Sequence, residues 1–293
     1  MTRRAKWALM VGAAGLGGAA AVLGVGSILV APALREIGEP PADLDAEVVT
    51  IESASPSRLA AWHVRAEATE GSVRGAVVLM HGIRADRRAL VDRARMFRDA
   101  GYHVLLFDFQ AHGESPGERI TVGWREQHDA VAAVAWMRAR HPGVPVAVVA
   151  QSMGGAAALY AGARLDADAL VVESVYGSLA EATANRLAMR LGRPGAWAAP
   201  LFTSQMRPRL GVPADSLNPA EAARQSVAPI LVAGGTEDAH ATPAEVQRIY
   251  ANAPEPKSLW LVEGAAHQDL YAFAPEAYRA RVLVWLAEAL GEV

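Results

Sequence analysis

The chain has 293 residues, of which 52% are hydrophobic and 20% charged, enough to bury the core of a single α/β domain of about 250 residues. Its formal charge is −3, but Arg3, Arg4 and Lys6 precede every acidic residue, and from residue 35 onward 25 basic residues stand against 31 acidic ones. An acidic body without a basic stripe argues against a nucleic-acid partner, the absence of cysteine excludes disulfides and thiolate chemistry, and the eight histidines show no metal-ligand spacing, so no metal and no cofactor are expected.

From Trp7 to Leu34 there is no charged residue, a stretch of 28 positions that as a helix would extend about 42 Å against a hydrocarbon core of about 30 Å. Residues 1–35 are therefore expected to form an uncleaved signal anchor, a transmembrane helix. The alternative is a signal peptide cleaved near Ala31-Pro32-Ala33, which would give a secreted protein. Basic residues before the segment place the N-terminus in the cytoplasm and the remainder outside. Residues 36–46, with Pro40-Pro41 and no periodicity, read as a short linker.

The body, residues 47–293, opens on Val48–Ile51 and Ala61–Val64, an expected antiparallel pair. The β-branched run Ala76–Met80 then ends in His81-Gly82-Ile83, and His103–Phe107 runs into Asp108. Val144–Val149 leads to Ala150-Gln151-Ser152-Met153-Gly154, Ala169–Val172 follows, Pro229 begins a strand ending near Asp238, and Ser258–Val262 leads to His267. Between the strands lie helical patterns over 87–100, 124–140, 153–164, 243–253 and 274–290. Alternation of this kind predicts an α/β fold, a mostly parallel sheet with helices on both faces.

Ser152 sits among small residues where a strand meets a helix, the arrangement that holds a hydroxyl on a sharp, exposed turn. The usual pattern is Gly-x-Ser-x-Gly, and here Ala150 replaces the first glycine. A serine in a small-residue turn is by itself equally well a plain turn. The neighbours add weight: His81-Gly82 lets the backbone turn so that the N–H of Ile83, with that of Met153, can form an oxyanion hole. Asp238 and His267 each follow an apolar strand, where parallel sheets place ligands.

In the order Ser152, Asp238, His267, and over roughly Glu47 to the C-terminus, the chain resembles the α/β-hydrolase superfamily in its serine-nucleophile branch, with membrane-anchored esterases, lipases and acyl-thioesterases nearest. The resemblance implies a Ser-His-Asp acyl-enzyme mechanism: Ser152 as nucleophile, His267 as base, Asp238 orienting it. Glu237 and Glu173 compete for the acid's role, and His240 for the base's. It also implies a small helical cap inserted over 176–226, whose apolar residues, Trp197 and Phe202 among them, either line an acyl pocket or only pack the cap. The expected substrate is an acyl ester or thioester, small or lipid-like. An aminopeptidase-like peptidase needing a cap acid (Glu181, Asp215 or Glu221) is the alternative, and a non-catalytic binding protein a third reading. Chain length preference and oligomeric state stay open.

Overall fold

The computed structural model describes residues 22–55, 57–67 and 72–291. An eight-stranded sheet runs in the order β10-β9-β8-β7-β4-β5-β3-β2. β2 (Glu47–Ser53) and β3 (Ser57–Val64) are antiparallel, and β3 is antiparallel to β5 (Tyr102–Phe107). β4 (Gly75–Met80), β5, β7 (Val146–Gln151), β8 (Ala169–Glu173), β9 (Ile230–Gly235) and β10 (Lys257–Val262) are all parallel. β4, β8 and β9 are buried along their whole lengths, which is why they read as unbroken apolar runs.

Alternate residues of one strand feed two cores. Val78 and Met80 pack with α3 (Glu126–Arg140), α4 (Met153–Ala161) and α9 (Pro243–Asn252) on one face. Val77 and Leu79 pack on the other with Phe97 of α2 (Val91–Asp99) and Leu286 of α12 (Val284–Ala289). The C-terminal helical pattern is interrupted: α10 (Leu270–Phe273) and α11 (Pro275–Tyr278) precede a π-turn at Arg279–Leu283. Between β8 and β9 lies the expected run of short helices, α5 (Leu179–Leu191), α6 (Ala199–Thr203), α7 (Met206–Leu210) and α8 (Pro219–Ala222).

The expected membrane anchor falls mostly outside the described residues. Its described end is helical over residues 22–30, here α1, and no described helix is long and apolar enough to cross a membrane. Residues 33–45, expected in part as a linker, are fastened to the body. β1 (Ala33–Leu34) pairs with β6 (His112–Gly113), the N–H groups of Ile37 and Gly38 donate to Glu114 Oε1, and Leu44 is fully buried beside Trp62. The prolines of this stretch conceal apolar anchor points at Ile37 and Leu44 that no periodic pattern announces.

Candidate active site

Strand register sets the site. Ala150 pairs with Val172 and Gln151 with Glu173, so the turn after β7 leaves the sheet at its carboxyl edge. There Ser152 adopts φ 51° and ψ −114°, a region that side-chain-bearing residues rarely enter, and it is held by its N–H bond to the Glu173 carbonyl at 2.8 Å. The strain is compatible with the fold because α4 starts against the end of β4. A Cβ at Gly154 would lie 2.8 Å from the carbonyl oxygens of Met80 and His81, so only glycine fits there. Ala150 stands in the core where the usual pattern has glycine, and its methyl is accommodated between β4 and β8.

Ser152 Oγ lies 3.3 Å from His267 Nε2, and His267 Nδ1 lies 2.8 Å from Asp238 Oδ2. Asp238 Oδ1 accepts from the N–H groups of His240 (2.8 Å) and Ala241 (2.9 Å). Burial pushes the Asp238 carboxyl up, but the bond and charge of His267 and these two N–H donors outweigh it, leaving the group below the usual carboxylate range. Asp238 is therefore an anion at neutral pH, aimed at the imidazole nitrogen that does not face the serine.

His81 braces the facing loop. Its Nε2 accepts the N–H of Phe109 at 3.1 Å, which puts the ring proton on Nδ1, and Nδ1 donates to the Gly82 carbonyl at 2.8 Å. Complete burial pushes this imidazole down to about 4, so it stays neutral. Gly82 sits against the nucleophile, since a Cβ there would come within 3.5 Å of Ser152 Cβ. The N–H groups of Ile83 and Met153 donate to no acceptor among the described residues. Two donors left unpaired beside a strained serine are what a developing oxyanion requires.

Of the competing residues, Glu173 is committed elsewhere. Its carboxylate forms a buried ion pair with Arg93 (2.7 Å) and accepts from Tyr278, while Arg93 also holds Asp269 (2.9 Å), two residues beyond His267. Glu237 is exposed. The His240 ring lies 4.9 Å from that of His267, and no bond joins it to Ser152. Sequence reasoning missed Arg93 as the hub that ties β8, the strand beside the nucleophile's, to the histidine loop, because its three partners lie between 80 and 185 residues away. It also missed Arg186, a half-buried cap guanidinium that donates to Ala182 O and whose charge acts on Asp238 and His240.

The cap residues named as pocket walls separate. Phe202 is half-buried, but Trp197 is 83% exposed and closes no cavity in this structure. Its helical neighbourhood is apolar, so sequence gave no means of telling an inward tryptophan from an outward one.

His63, His103 and His141 bring ring nitrogens within 4.8 Å of one another at the far end of the sheet. They do not fit a metal ion. The rings of His103 and His141 are stacked at 3.8 Å and 11°, so their in-plane lone pairs do not converge, and His103 Nδ1 already accepts the N–H of Ala66.

An α/β sheet carrying a serine, an imidazole and a carboxylate in line at its carboxyl edge defines a serine hydrolase by class. The sequence profile of the family described as "Serine aminopeptidase, S33" matches residues 71–219, and the chain belongs to this family of α/β hydrolases. It is 30% identical over 240 residues to the uncharacterised protein Rv2307c of Mycobacterium tuberculosis, covering 80% of this chain and 75% of that one. Its fold is shared with the Pyrococcus furiosus esterase PF2001 (TM-score 0.72, 23% identity, 89% of this chain and 98% of that one). It is also shared with the Pyrococcus horikoshii acylaminoacyl peptidase (TM-score 0.61, 15% identity, 83% and 41%).

Proposed function

We propose that the chain hydrolyses carboxylic esters or thioesters of apolar acyl groups through Ser152, His267 and Asp238. The observation that carries this reading is the unbroken line from Ser152 Oγ through His267 to an ionised Asp238. His267 Nε2 takes the hydroxyl proton as Ser152 Oγ attacks the carbonyl carbon. The N–H groups of Ile83 and Met153 hold the oxyanion, and His267 then protonates the leaving alkoxide or thiolate. Water, deprotonated by the same imidazole, releases the acid and restores Ser152. Apo distances of this kind shorten when substrate binds, so 3.3 Å is compatible with the role.

Two relatives in name, the family description and the acylaminoacyl peptidase, favour a second reading, cleavage of a peptide at its amino end. The cap supports the first. A free α-amino group needs a carboxylate, and Glu181 is paired with Arg248, Glu221 with Arg224, while Asp215 is exposed. Purified protein offered para-nitrophenyl acetate, butyrate and hexanoate beside aminoacyl para-nitroanilides separates the two. The ester reading predicts kcat/KM rising with acyl length, since each buried methylene is worth about 0.8 kcal/mol. Faster turnover of the anilides would replace it with the peptidase. The apolar stretch before residue 35 is proposed to tether the enzyme to a membrane with its body outside the cytoplasm, tested by sedimentation with membranes and by a reporter fused after Val293.

A further inference from the structure

The cap and α1 together expose apolar side chains that nothing among the described residues covers. Trp197 is 83% exposed, Leu191 66% and Leu201 59%, and in α1 Ile28 is 67% and Leu23 54% exposed. The two groups adjoin: Gln205 Nε2 donates to both Val22 O (3.2 Å) and Leu201 O (3.3 Å), and Arg209 donates to Leu23 O (2.6 Å) and Ser27 Oγ (2.8 Å). Soluble monomers seldom leave large apolar side chains clustered in this way.

Charge selects the occupant. Between Glu181 and Asp215 the chain carries Arg186, Arg190, Arg193, Arg207 and Arg209 and no acidic residue, in a body otherwise rich in acids. Arg190, Arg193 and Arg207 are exposed among the same apolar residues. Tryptophan and leucine flanked by arginine suit the boundary between headgroups and acyl chains of a bilayer bearing anionic lipid, where the rings sit at headgroup depth and each cation gains from the surface potential. Chain continuity points to the same partner, because α1 is the end of the uncharged stretch 7–34. The face also borders the site: Arg84, next to Ile83, donates to Ile28 O and Ala31 O at 3.2 Å.

We propose that the cap is a membrane-docking surface, inserting Leu191, Trp197 and Leu201 into the interface of a bilayer that contains anionic phospholipid, with Arg190, Arg193 and Arg207 on the headgroups. Trp197 is thus an outward anchor, and the catalytic site opens beside the bilayer rather than toward bulk water.

The chain has no cysteine, so Trp197→Cys and Val227→Cys each create one labelling site in the full-length protein. Val227 is 69% exposed and precedes β9, at the opposite end of the parallel strands from Ser152. Each variant carries an environment-sensitive fluorophore and is bound to phosphatidylcholine vesicles with or without phosphatidylglycerol, some with acyl-brominated lipid. The label at 197 is expected to shift to the blue and to lose roughly half its intensity or more to the brominated chains when phosphatidylglycerol is present, as interfacial burial requires. The label at 227 stays in water, and adding Arg190→Glu with Arg193→Glu reduces the quenching at 197. A label at 197 as wet as that at 227, on vesicles that carry the protein down on sedimentation, overturns the proposal. So does a blue shift that grows with protein concentration without vesicles, which would make a second copy the partner. Fluorophosphonate labelling of Ser152 in the same samples reads the nucleophile independently, so loss of docking and loss of the hydrolase reading are told apart.

Discussion

The carboxyl edge of the sheet and the cap that adjoins it are built on different principles. At the edge, each functional side chain is held by several buried bonds: Asp238 by two backbone N–H groups and a histidine, His81 by a backbone donor and acceptor, and the loops behind them by Arg93 with Glu173, Asp269 and Tyr278. Glu126 and Asp129 do the same for the loop after β5, gathering Thr121, Gly123 and Gln110. The cap is a series of short helices with large apolar residues facing out. The contrast teaches that the atoms doing chemistry are over-determined, while the cap is packed only on its inner side, through Leu179, Ala182, Met206 and Leu210, and turns its outer side to its surroundings.

Substitutions break this comparison most sharply at the edge. Ser152→Ala should lower ester turnover by about a millionfold and abolish fluorophosphonate labelling while leaving the thermal transition unchanged, since it empties no cavity. Labelling that survives would remove Ser152 as nucleophile. Asp238→Asn should reduce kcat by about ten-thousandfold, because a neutral amide neither fixes the tautomer nor stabilises the imidazolium.

Glu173→Gln separates scaffold from chemistry. Removing its charge leaves Arg93, buried with Glu173, short of a partner, a change that costs about 3 kcal/mol or more in stability. The lowered denaturation midpoint should come with kcat within about tenfold of wild type in the folded protein, a small part of the Asp238→Asn effect. A larger kcat loss than for Asp238→Asn would move the acid's role to Glu173.

Acidification tests the same scaffold more gently. His63, His81, His112 and His141 are pushed down to about 4, in each case chiefly by burial, so between pH 6.5 and 4 the unfolded chain binds protons that the folded chain does not. The stability they contribute is present above their unfolded value and is lost as pH falls. Asp129, pushed up by burial to about 7, has the opposite sign, since below that value the folded form takes the proton first. Four imidazoles outweigh one carboxyl, and the melting temperature should fall by roughly 5 °C or more from pH 7.5 to 5. A rise over that interval would contradict the assignment.

The cap should give the smallest change. Phe202→Ala is expected to flatten the gain from acetate to hexanoate by a few-fold, and Trp197→Ala to leave the hydrolysis of soluble acetate within about twofold of wild type, because an exposed ring makes no packed contact with a dissolved substrate. A large loss with Trp197→Ala on soluble acetate would return that ring to the substrate pocket.

Much of the fold was legible because buried parallel strands must be written as apolar runs, and β4, β5, β7, β8 and β9 announce themselves in that way, while half-buried β10 at the edge does so only from Leu259 onward. The small residues around Ser152 were legible for a steric reason, as Gly154 shows. The acid was less so: Asp238 and Glu173 both end strands, and only the side-chain partners tell them apart. The hold of the segment at 36–46 on the body was not legible, because it comes from Leu44 and from backbone donors to Glu114, which leave no periodic trace.

By itself, then, the amino-acid order determined the alternation of strands and helices and the presence of a serine, a carboxylate and a histidine at successive strand ends, since those features follow from local backbone preference and from apolar burial. Tertiary structure decided which carboxylate faces His267, that Arg93 ties three distant segments together, and that Trp197 turns outward from the cap. These depend on contacts between residues far apart in the chain, and the direction of a side chain on a short helix is set by what packs beneath it rather than by its neighbours in sequence.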